Sequence, residues 1–239
     1  MANTRPRLLK LSGEALTGAE GARDGIFDRA AVDRVASEIV RGVAAGTRLG
    51  IVVGGGNIVR GRWVKAGLHV AERGDDMGML ATLINAIMLR DGIEGAGGTA
   101  LVVAPHAVPN VAIGYDRTAV MAALAAGTVV VFGGGTGQPF FTTDTAAALR
   151  AAQISAGELL KATTVDGVYT ADPRTNPDAK RLDRLTFDQA VEGRYGVMDA
   201  AAFALCREQR IPIRIFDGRP AGALLAALSA DPPGTLVGG

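Results

Sequence analysis

Six short runs of apolar, largely β-branched residues alternate along the chain with longer stretches of helical periodicity. The runs predicted to be strands cover residues 8–11, 51–53, 100–104, 129–132, 159–162 and 213–216. Helices are predicted over residues 28–45, 75–90, 117–126, 145–155 and 199–209, with N-caps at Asp28, Asp75, Asp144 and Asp199. Strand and helix in alternation favour right-handed crossovers and a mainly parallel sheet. We therefore expect the α/β class and a three-layer αβα sandwich.

The composition supports this class and excludes several others. Of the 239 residues, 48% are apolar but only 5% are aromatic, so Ala, Val, Leu and Ile must fill the core. Lys and Arg number 25 against 24 Asp and Glu, a balance that argues against a nucleic-acid or membrane-surface binder. No uncharged apolar run could span a bilayer, and Arg5, Arg7 and Lys10 interrupt any apolar leader. We expect a cytoplasmic protein.

Four other segments carry local predictions. The single cysteine, Cys206, lies in an Ala-rich run and is interpreted as a small buried hydrophobe. Helix 75–90 is apolar nearly all round, which is typical of a helix that is deeply buried or packs against another subunit. Pro173 and Pro177 indicate a loop over residues 171–181. The Pro/Gly-rich segment 231–239 is expected to be a loosely tied tail.

Three glycine-containing loops directly follow predicted strands. They are Ser12-Gly13, Gly54-Gly55-Gly56-Asn57, and the run from Gly133 to Gly137 that continues to Asp144. Glycines after a strand let the backbone approach a phosphate, and the next helix N-terminus attracts the anion. One such loop could be an ordinary turn, but three at one edge of a sheet predict a phosphate-binding crevice. None matches the dinucleotide-binding or Walker fingerprint.

Two lysines lie within or at the end of predicted strands. Lys10 interrupts the first strand, and Lys161 ends the fifth. A lysine in a parallel strand must send its ammonium out at the strand end or lose solvation, although it can also reach solvent along its own stem. A phosphate at that edge would supply the opposite charge. Phosphoryl transfer requires such cations, because charge accumulates on the transferring group.

Five separated blocks of the sequence resemble the bacterial uridylate (UMP) kinases of the amino acid kinase superfamily. They are LKLSGEAL at 9–16, VGGGNIVR at 53–60, MGMLAT at 77–82, GTGQPFFTTD at 135–144 and VDGVYTADP at 165–173. The resemblance implies the αβα fold of that superfamily, ATP with Mg²⁺ as the phosphoryl donor, UMP as the acceptor and a homohexamer built as a trimer of dimers. Mg²⁺ is expected on the ATP phosphates, with no protein metal site.

The resemblance also implies roles for particular residues. The implied catalytic residues are Lys10, Arg60, Asp144 and Lys161. The implied ATP-binding residues are Lys10, Leu11, Ser12, Gly13, Gly56, Arg60, Thr163, Tyr169 and Asp172. The implied UMP-binding residues are Gly55, Asp75, Thr136, Gly137, Gln138, Pro139, Phe140, Phe141, Thr142 and Thr143. Asp76, Gln138 and Thr164 stand where His, Asn and Lys are common in that family.

These roles imply one domain over residues 1–239, with an acceptor-binding part of about 1–156 and an ATP-binding part of about 157–239. The reaction implied is direct in-line transfer from ATP to UMP, giving UDP for pyrimidine nucleotide synthesis. Two alternatives stay open at this point. One is a kinase of the same superfamily with another acceptor, such as an amino acid, carbamate or a phosphorylated metabolite. The other is a non-catalytic nucleotide-binding or storage protein on the same scaffold.

Overall fold

The computed structural model describes residues 5–17, 26–59, 68–70, 72–173, 175–196 and 198–239. The strands are β1 (Arg7–Leu11), β2 (Leu49–Val53), β3 (Ala100–Ala104), β4 (Ile113–Gly114), β5 (Val129–Phe132), β6 (Glu158–Thr163), β7 (Val168–Tyr169), β8 (Arg181–Leu182), β9 (Arg184–Leu185), β10 (Ile213–Asp217) and β11 (Thr235–Val237). The helices are α1 (Arg29–Ala44), α2 (Glu72–Gly95), α3 (Arg117–Ala125), α4 (Thr143–Gln153), α5 (Phe187–Glu192), α6 (Ala200–Glu208) and α7 (Ala223–Ala227). A 3₁₀ turn covers Gly13–Leu16.

The central sheet has, within the described part of the chain, the strand order β4-β3-β5-β2-β1-β6-β10-β11-β9. Adjacent strands from β4 to β10 run parallel to one another, and β11 runs antiparallel to β10. The order reverses at β1, because β2 to β5 lie on one side of it while β6 and the later strands lie on the other. Such a switch point opens a crevice beyond the carboxyl ends of the two central strands.

Helices cover both faces of this sheet, so the predicted αβα sandwich is confirmed. One core layer packs α3, α4, α5 and α6 against the sheet, and the other packs α1, α2 and α7. Small apolar side chains dominate both layers, as the low aromatic content predicts. Cys206 is fully buried in the first layer, where burial raises the pKa of its thiol to about 12. Among the described residues, no helix is long and apolar enough to cross a membrane.

Two of the four predicted N-caps are correct and two are wrong. Asp28 and Asp199 accept backbone N–H bonds at the starts of α1 and α6. Asp75 is not a cap, because α2 already begins at Glu72 and places Asp75 in its first turn. Asp144 is not a cap either, since the hydroxyl of Thr142 accepts the first N–H groups of α4. The Asp144 carboxylate is therefore left for other partners.

The prediction of a loosely tied tail at 231–239 is wrong. Thr235 to Val237 form β11 in the central sheet, and the side chains of Thr235 and Val237 are fully buried. The strand is short, but Gly238 N–H also bonds the carbonyl of Leu185 at 2.9 Å. Gly234 lets the chain turn into β11 with a φ of +97°, and an added Cβ there would lie 2.0 Å from the carbonyl oxygen of Ile215. The strand was not predicted because Pro and Gly are typical of loops and because its partners, β9 and β10, come from other segments of the chain.

Helix α7 is capped by a side chain from another helix. Its N-cap, Gly222, offers no side chain, and Glu38 of α1 accepts N–H bonds from Gly222 and Leu224 at 2.9 Å each and from Leu225 at 3.3 Å. The Glu38 side chain is only 6% exposed. One carboxylate therefore neutralises the N-terminus of α7 and joins it to α1.

We expect Glu38→Ala to lower the free energy of unfolding by about 2 to 3 kcal/mol, because buried N–H groups lose their charged acceptor. Glu38→Gln is the matched control and should lose less, since it keeps one carbonyl oxygen at the same place. Urea unfolding followed by circular dichroism at fixed protein concentration measures both. Equal stability of the alanine variant and the parent would contradict the capping role.

Candidate active site

Lys10 and Lys161 lie side by side on the two central strands. They are register partners in the parallel pair β1–β6. Side chains alternate between the faces of a strand, so Lys10 shares the face of Leu8 and Lys161 that of Leu159. Leu8 and Leu159 both belong to the core layer under α4. The two ammonium groups therefore point toward the N-terminus of α4, at the switch point of the sheet.

A single carboxylate lies between the two lysines. Asp144 Oδ1 is 3.1 Å from Lys10 Nζ, and Asp144 Oδ2 is 2.6 Å from Lys161 Nζ. All three side chains are between 12% and 14% exposed. Burial lowers the pKa of Lys161, and the neighbouring charge of Asp144 and its hydrogen bond raise it in part. The three groups carry one net positive charge at the mouth of the crevice.

Two features position Asp144: its place at the start of α4 and the hydrogen bonds that hold this helix N-terminus to Asp199. It lies in the first turn of α4, where the helix dipole favours a negative charge. The N-cap, Thr142, donates its hydroxyl to Asp199, and the Thr145 hydroxyl bonds both Asp199 oxygens at 3.0 and 3.1 Å. Burial raises the pKa of Asp199, but bonds from Thr142, the Ala202 N–H and Thr145 outweigh it and leave that pKa lowered. Asp199 therefore ties the start of α6 to the start of α4.

The first two glycine loops pack directly against each other and against α2. An added Cβ on Gly13 would lie 2.2 Å from Asn57 Oδ1 and 2.7 Å from the carbonyl oxygen of Gly54. Asn85 of α2 is fully buried and donates to that Gly54 carbonyl at 2.6 Å and to Asn57 Oδ1 at 2.7 Å. An added Cβ on Gly55 would lie 2.9 Å from the Cβ of Ala81. Glycine is therefore required for this close approach of β1, β2 and α2.

The third loop forms a turn beside the N-terminal half of α2. Gly134, Gly135 and Gly137 have φ angles of +76°, +59° and +81°, which glycine adopts without strain. The Gly134 N–H donates to the Thr82 hydroxyl of α2 at 2.8 Å. Farther along, the N–H of Phe140 donates to Asp75 Oδ2 at 3.1 Å. The structure thus brings Asp75 to the segment predicted to bind the acceptor.

The other residues of that segment line the open side of the turn. The Thr136 hydroxyl bonds the carbonyl and N–H of Gln138 at 3.1 and 3.2 Å. Phe140 and Phe141 are 72% and 52% exposed. A cavity of about 290 Å³ lies between this turn, the loop after β3 and the start of α2, and Asp76 and His106 are among its lining residues. A larger groove of about 590 Å³ lies elsewhere, between α5 and α6.

The residues predicted to hold the ATP nucleoside lie on the other side of the switch point. Thr163 follows Lys161 on β6 and bonds the carbonyl and N–H of Val165 at 2.7 and 3.0 Å. The Tyr169 hydroxyl donates to Asp166 at 2.8 Å, and this bond is the main cause of its raised pKa. Asp172 begins the turn after β7, where its carbonyl accepts the N–H of Asn176 at 2.9 Å. The predicted loop 171–181 thus joins β7 to β8.

One predicted catalytic residue, Arg60, lies outside the described residues. Ser12 and Gly13 begin the 3₁₀ turn after β1, and Leu11 ends that strand. Gly56 follows Gly55 in the second loop, and an added Cβ on Gly56 would meet nothing within 4 Å. In the described ranges, no group of three or more His, Cys, Asp and Glu side chains could hold a metal ion.

A model of the amino acid kinase family matches residues 6–217. The chain belongs to the amino acid kinase family. The chain is 47% identical over 230 residues to a protein of Pseudomonas syringae pv. syringae named uridylate kinase. The match covers 96% of this chain and 92% of that protein. The chain is 49% identical over 232 residues to a uridylate kinase of a Bradyrhizobium species, covering 97% and 96%.

Solved structures of UMP kinases are similar to this amino acid kinase over nearly their whole length. The UMP kinase of Bacillus anthracis superposes with a TM-score of 0.91 at 34% identity, covering 98% of this chain and 97% of that one. The UMP kinase of Ureaplasma parvum has a TM-score of 0.92 at 31% identity, covering 98% and 99%. The likeness therefore includes both the fold and the sequence.

Four residues that shape the site of this family member were not predicted from the sequence. Asn85 and Thr82 hold two glycine loops, Asp199 holds Thr142 and Thr145, and Arg150 bonds the carbonyl of Gly135 at 3.4 Å. Three of them could have been recognised from the sequence. Asn85, Thr82 and Arg150 are buried polar residues in helices that are otherwise apolar on that face. Asp199 was recognised only as a cap.

Proposed function

We propose that this chain transfers the γ-phosphoryl group of ATP directly to UMP, giving ADP and UDP. The observation that carries the proposal is the pair of partly buried lysines, Lys10 and Lys161, held by Asp144 at the switch point of the sheet. Three phosphate-compatible glycine loops follow β1, β2 and β5, which are neighbours in that sheet. The names of the relatives supply the acceptor, since they are uridylate kinases over nearly the whole chain.

The chemistry requires no general base and no covalent intermediate. UMP already presents an anionic phosphate oxygen as the nucleophile, so the enzyme must bring two anions together in line. Lys10 and Lys161 provide positive charge to the transferring group and the leaving β-phosphate. Asp144 holds the two ammonium groups close together in spite of their mutual repulsion. N–H groups of the glycine loops add fixed partial charges that need no reorganisation during transfer.

The donor and acceptor occupy opposite sides of the crevice in this proposal. ATP phosphates lie along Lys10, Ser12 and Gly13, with its nucleoside toward Thr163, Tyr169 and Asp172, and Arg60 clamps phosphate. UMP lies against Gly55, Asp75 and the segment Thr136–Thr143. The contact between Asp75 and the Phe140 N–H supports this placement of the acceptor. The halves of the sheet on either side of β1 support an acceptor part of about 1–156 and an ATP part of about 157–239 within one domain.

Mg²⁺ fits this site as a partner of the ATP phosphates. The one carboxylate between the lysines, Asp144, is occupied by two ammonium groups, and the described residues offer no ligand cluster of their own. Mg²⁺ is commonly bound through substrate phosphates with one or two carboxylates, and it neutralises charge on the β- and γ-phosphates. A cytoplasmic location stays a prediction of the sequence.

An exposed apolar stripe on α2 supports the pairing of two copies, which is the dimer unit of the expected homohexamer of three dimers. Met77, Leu80, Ile84 and Ile87 recur at helical spacing and are 41%, 63%, 43% and 43% exposed in the single chain. The opposite side of α2 packs into the core through Leu89 and Ile93. A helix with two apolar sides needs a second surface to cover it, and a second copy of the same helix is the simplest one in a symmetric oligomer.

We expect Leu80→Glu combined with Ile84→Glu to reduce the molar mass of the assembly in solution, because the charges would be buried in the helix pair. Val191→Glu is the matched control, since Val191 is 52% exposed and lies on α5. Size-exclusion chromatography with light scattering reports the mass of each variant. An unchanged mass for the double variant would remove α2 from the interface.

The reaction is tested by ADP release from ATP and Mg²⁺ with UMP, CMP, dTMP, AMP, glutamate, aspartate and carbamate as separate acceptors. We expect strong preference for UMP. Turnover with a different acceptor alone would overturn the assignment of UMP and implicate Asp76 and Gln138, which depart from residues common in the family. Nucleotide binding without turnover of any acceptor would favour the non-catalytic alternative.

A further inference from the structure

Arg150 is a buried cation behind the acceptor turn. It lies on α4, one residue before the last core alanine of that helix, and is 3% exposed. Among the residues that the structure describes, no carboxylate forms an ion pair with it. Burying a guanidinium without a carboxylate is costly, and an apolar side chain of similar size would fill the same space at lower cost. A purely structural role therefore does not explain an arginine at this position.

The contacts of Arg150 lead to the acceptor turn. Its Nη2 donates to the carbonyl oxygen of Gly135 at 3.4 Å, and its Nη1 donates to Gln153 Oε1 at 2.7 Å. The guanidinium carbon lies 4.9 Å from the centre of the Tyr115 ring and 5.5 Å from that of Phe132. Cation–π contacts of this kind hold the guanidinium plane in place without neutralising its charge. Burial lowers the pKa of Arg150, and Tyr115 partly offsets this effect.

The turn is held by one helix from each face of the sheet. Thr82 of α2 accepts the N–H of Gly134 on one side, and Arg150 of α4 binds the carbonyl of Gly135 on the other. In a trans peptide the C=O of one residue and the N–H of the next point in opposite directions. Fixing the Gly135 carbonyl therefore also turns the N–H of Thr136 away from Arg150. The positive charge of Arg150 also draws electron density toward the Gly135 carbonyl oxygen, which makes the N–H of Thr136 a stronger hydrogen-bond donor.

We propose that Arg150 is a positioning residue for the acceptor: through the Gly135 carbonyl, it sets the Gly134–Gly137 turn that receives UMP. The proposal rests on the proposed function, because it needs UMP to occupy this turn. A glycine-rich turn has many accessible conformations, so contacts with other parts of the protein must select the conformation that binds UMP. Loss of Arg150 should therefore weaken UMP binding while leaving the ATP side of the crevice unchanged.

Steady-state kinetics of Arg150→Met and Arg150→Lys, with Tyr115→Phe as control, tests this proposal. We expect Arg150→Met to raise KM for UMP roughly tenfold, equivalent to about 1.4 kcal/mol, as for one hydrogen bond to a charged group. KM for ATP should stay within about twofold, which separates a local effect from general damage. Arg150→Lys should fall between Arg150→Met and the parent, and Tyr115→Phe should match the parent because it keeps the ring.

Equal increases in both KM values, or an unchanged KM for UMP, would overturn the role of Arg150. Thermal unfolding of each variant identifies a folding defect. If Arg150→Met does not fold, Arg150→Lys provides the test. An unchanged KM for UMP in Arg150→Lys would then count against the proposal. The parent enzyme is assayed first. Failure of the parent to use UMP would overturn the proposed function and this inference together, whereas normal UMP turnover with unaffected variants would overturn the inference alone.

Discussion

Replacement of Lys10 by alanine is expected to lower kcat by about 10³-fold, which corresponds to about 4 kcal/mol of lost transition-state stabilisation. The ammonium of Lys10 lies at the carboxyl end of β1 and contributes charge to the crevice more than it contributes packing. Asp144 keeps Lys161 as its partner in the variant, so the carboxylate is not left unpaired. The loss of stability should therefore be much smaller than the loss of activity.

ADP release under saturating ATP and UMP measures this effect, and urea unfolding measures the stability of the same preparation. Lys180→Ala is the matched control, because Lys180 is an exposed lysine in the loop between β7 and β8 and is expected to keep parental activity. Near-normal turnover of Lys10→Ala would refute the assigned role of Lys10. A fall in activity that merely follows unfolding would do the same.

Asp144→Asn is expected to lower kcat by about 10²-fold and to shift the alkaline limb of the pH profile to lower pH. Burial already lowers the pKa of Lys161, and the charge of Asp144 raises it in part. A neutral amide removes that compensation, so the pKa of Lys161 falls further. Lys161 acts as a cation only below its pKa, and the variant must therefore lose activity at a lower pH than the parent does.

Profiles of kcat against pH for the parent and Asp144→Asn test the direction of this shift. Lowering the pH within the range where both proteins stay folded should recover part of the variant's activity. Asp183→Asn serves as the control, since the Asp183 side chain is 87% exposed and should alter neither kcat nor its pH dependence. Coincident alkaline limbs for Asp144→Asn and the parent would mean that Asp144 does not set the charge of Lys161.

The sequence predicted the sheet well because its strands are strongly apolar. Each of the six predicted runs lies in a strand, since these segments are buried on both faces and tolerate few polar residues. Lys10 and Lys161 were recognisable for the same reason, as charged residues in segments that otherwise exclude charge. The short elements β4, β7, β8, β9 and β11 were missed, because two or three residues carry no detectable periodicity.

The candidate site was less accessible from sequence, because its geometry depends on pairs far apart in the chain. The N-cap positions predicted for Asp75 and Asp144 are wrong, since α2 starts earlier and the Thr142 hydroxyl takes the cap of α4. Asp199 was interpreted through its own helix alone, whereas its bonds to Thr142 and Thr145 cross from α6 to α4. Contacts of that kind become visible only when the helices are packed.

The pairing of β1 with β6 at the switch point has a consequence for the newly made chain. Lys10 lies on β1, whereas its partners Asp144 and Lys161 follow more than half a chain later. A nascent chain that ends before β6 holds the acceptor turn but lacks one of the two cations. We expect this pair to close slowly, because contacts between residues far apart in sequence form slowly. The paired charges of the site can therefore form only after β6 has left the ribosome, and we expect chains that end before β6 to lack phosphoryl-transfer activity.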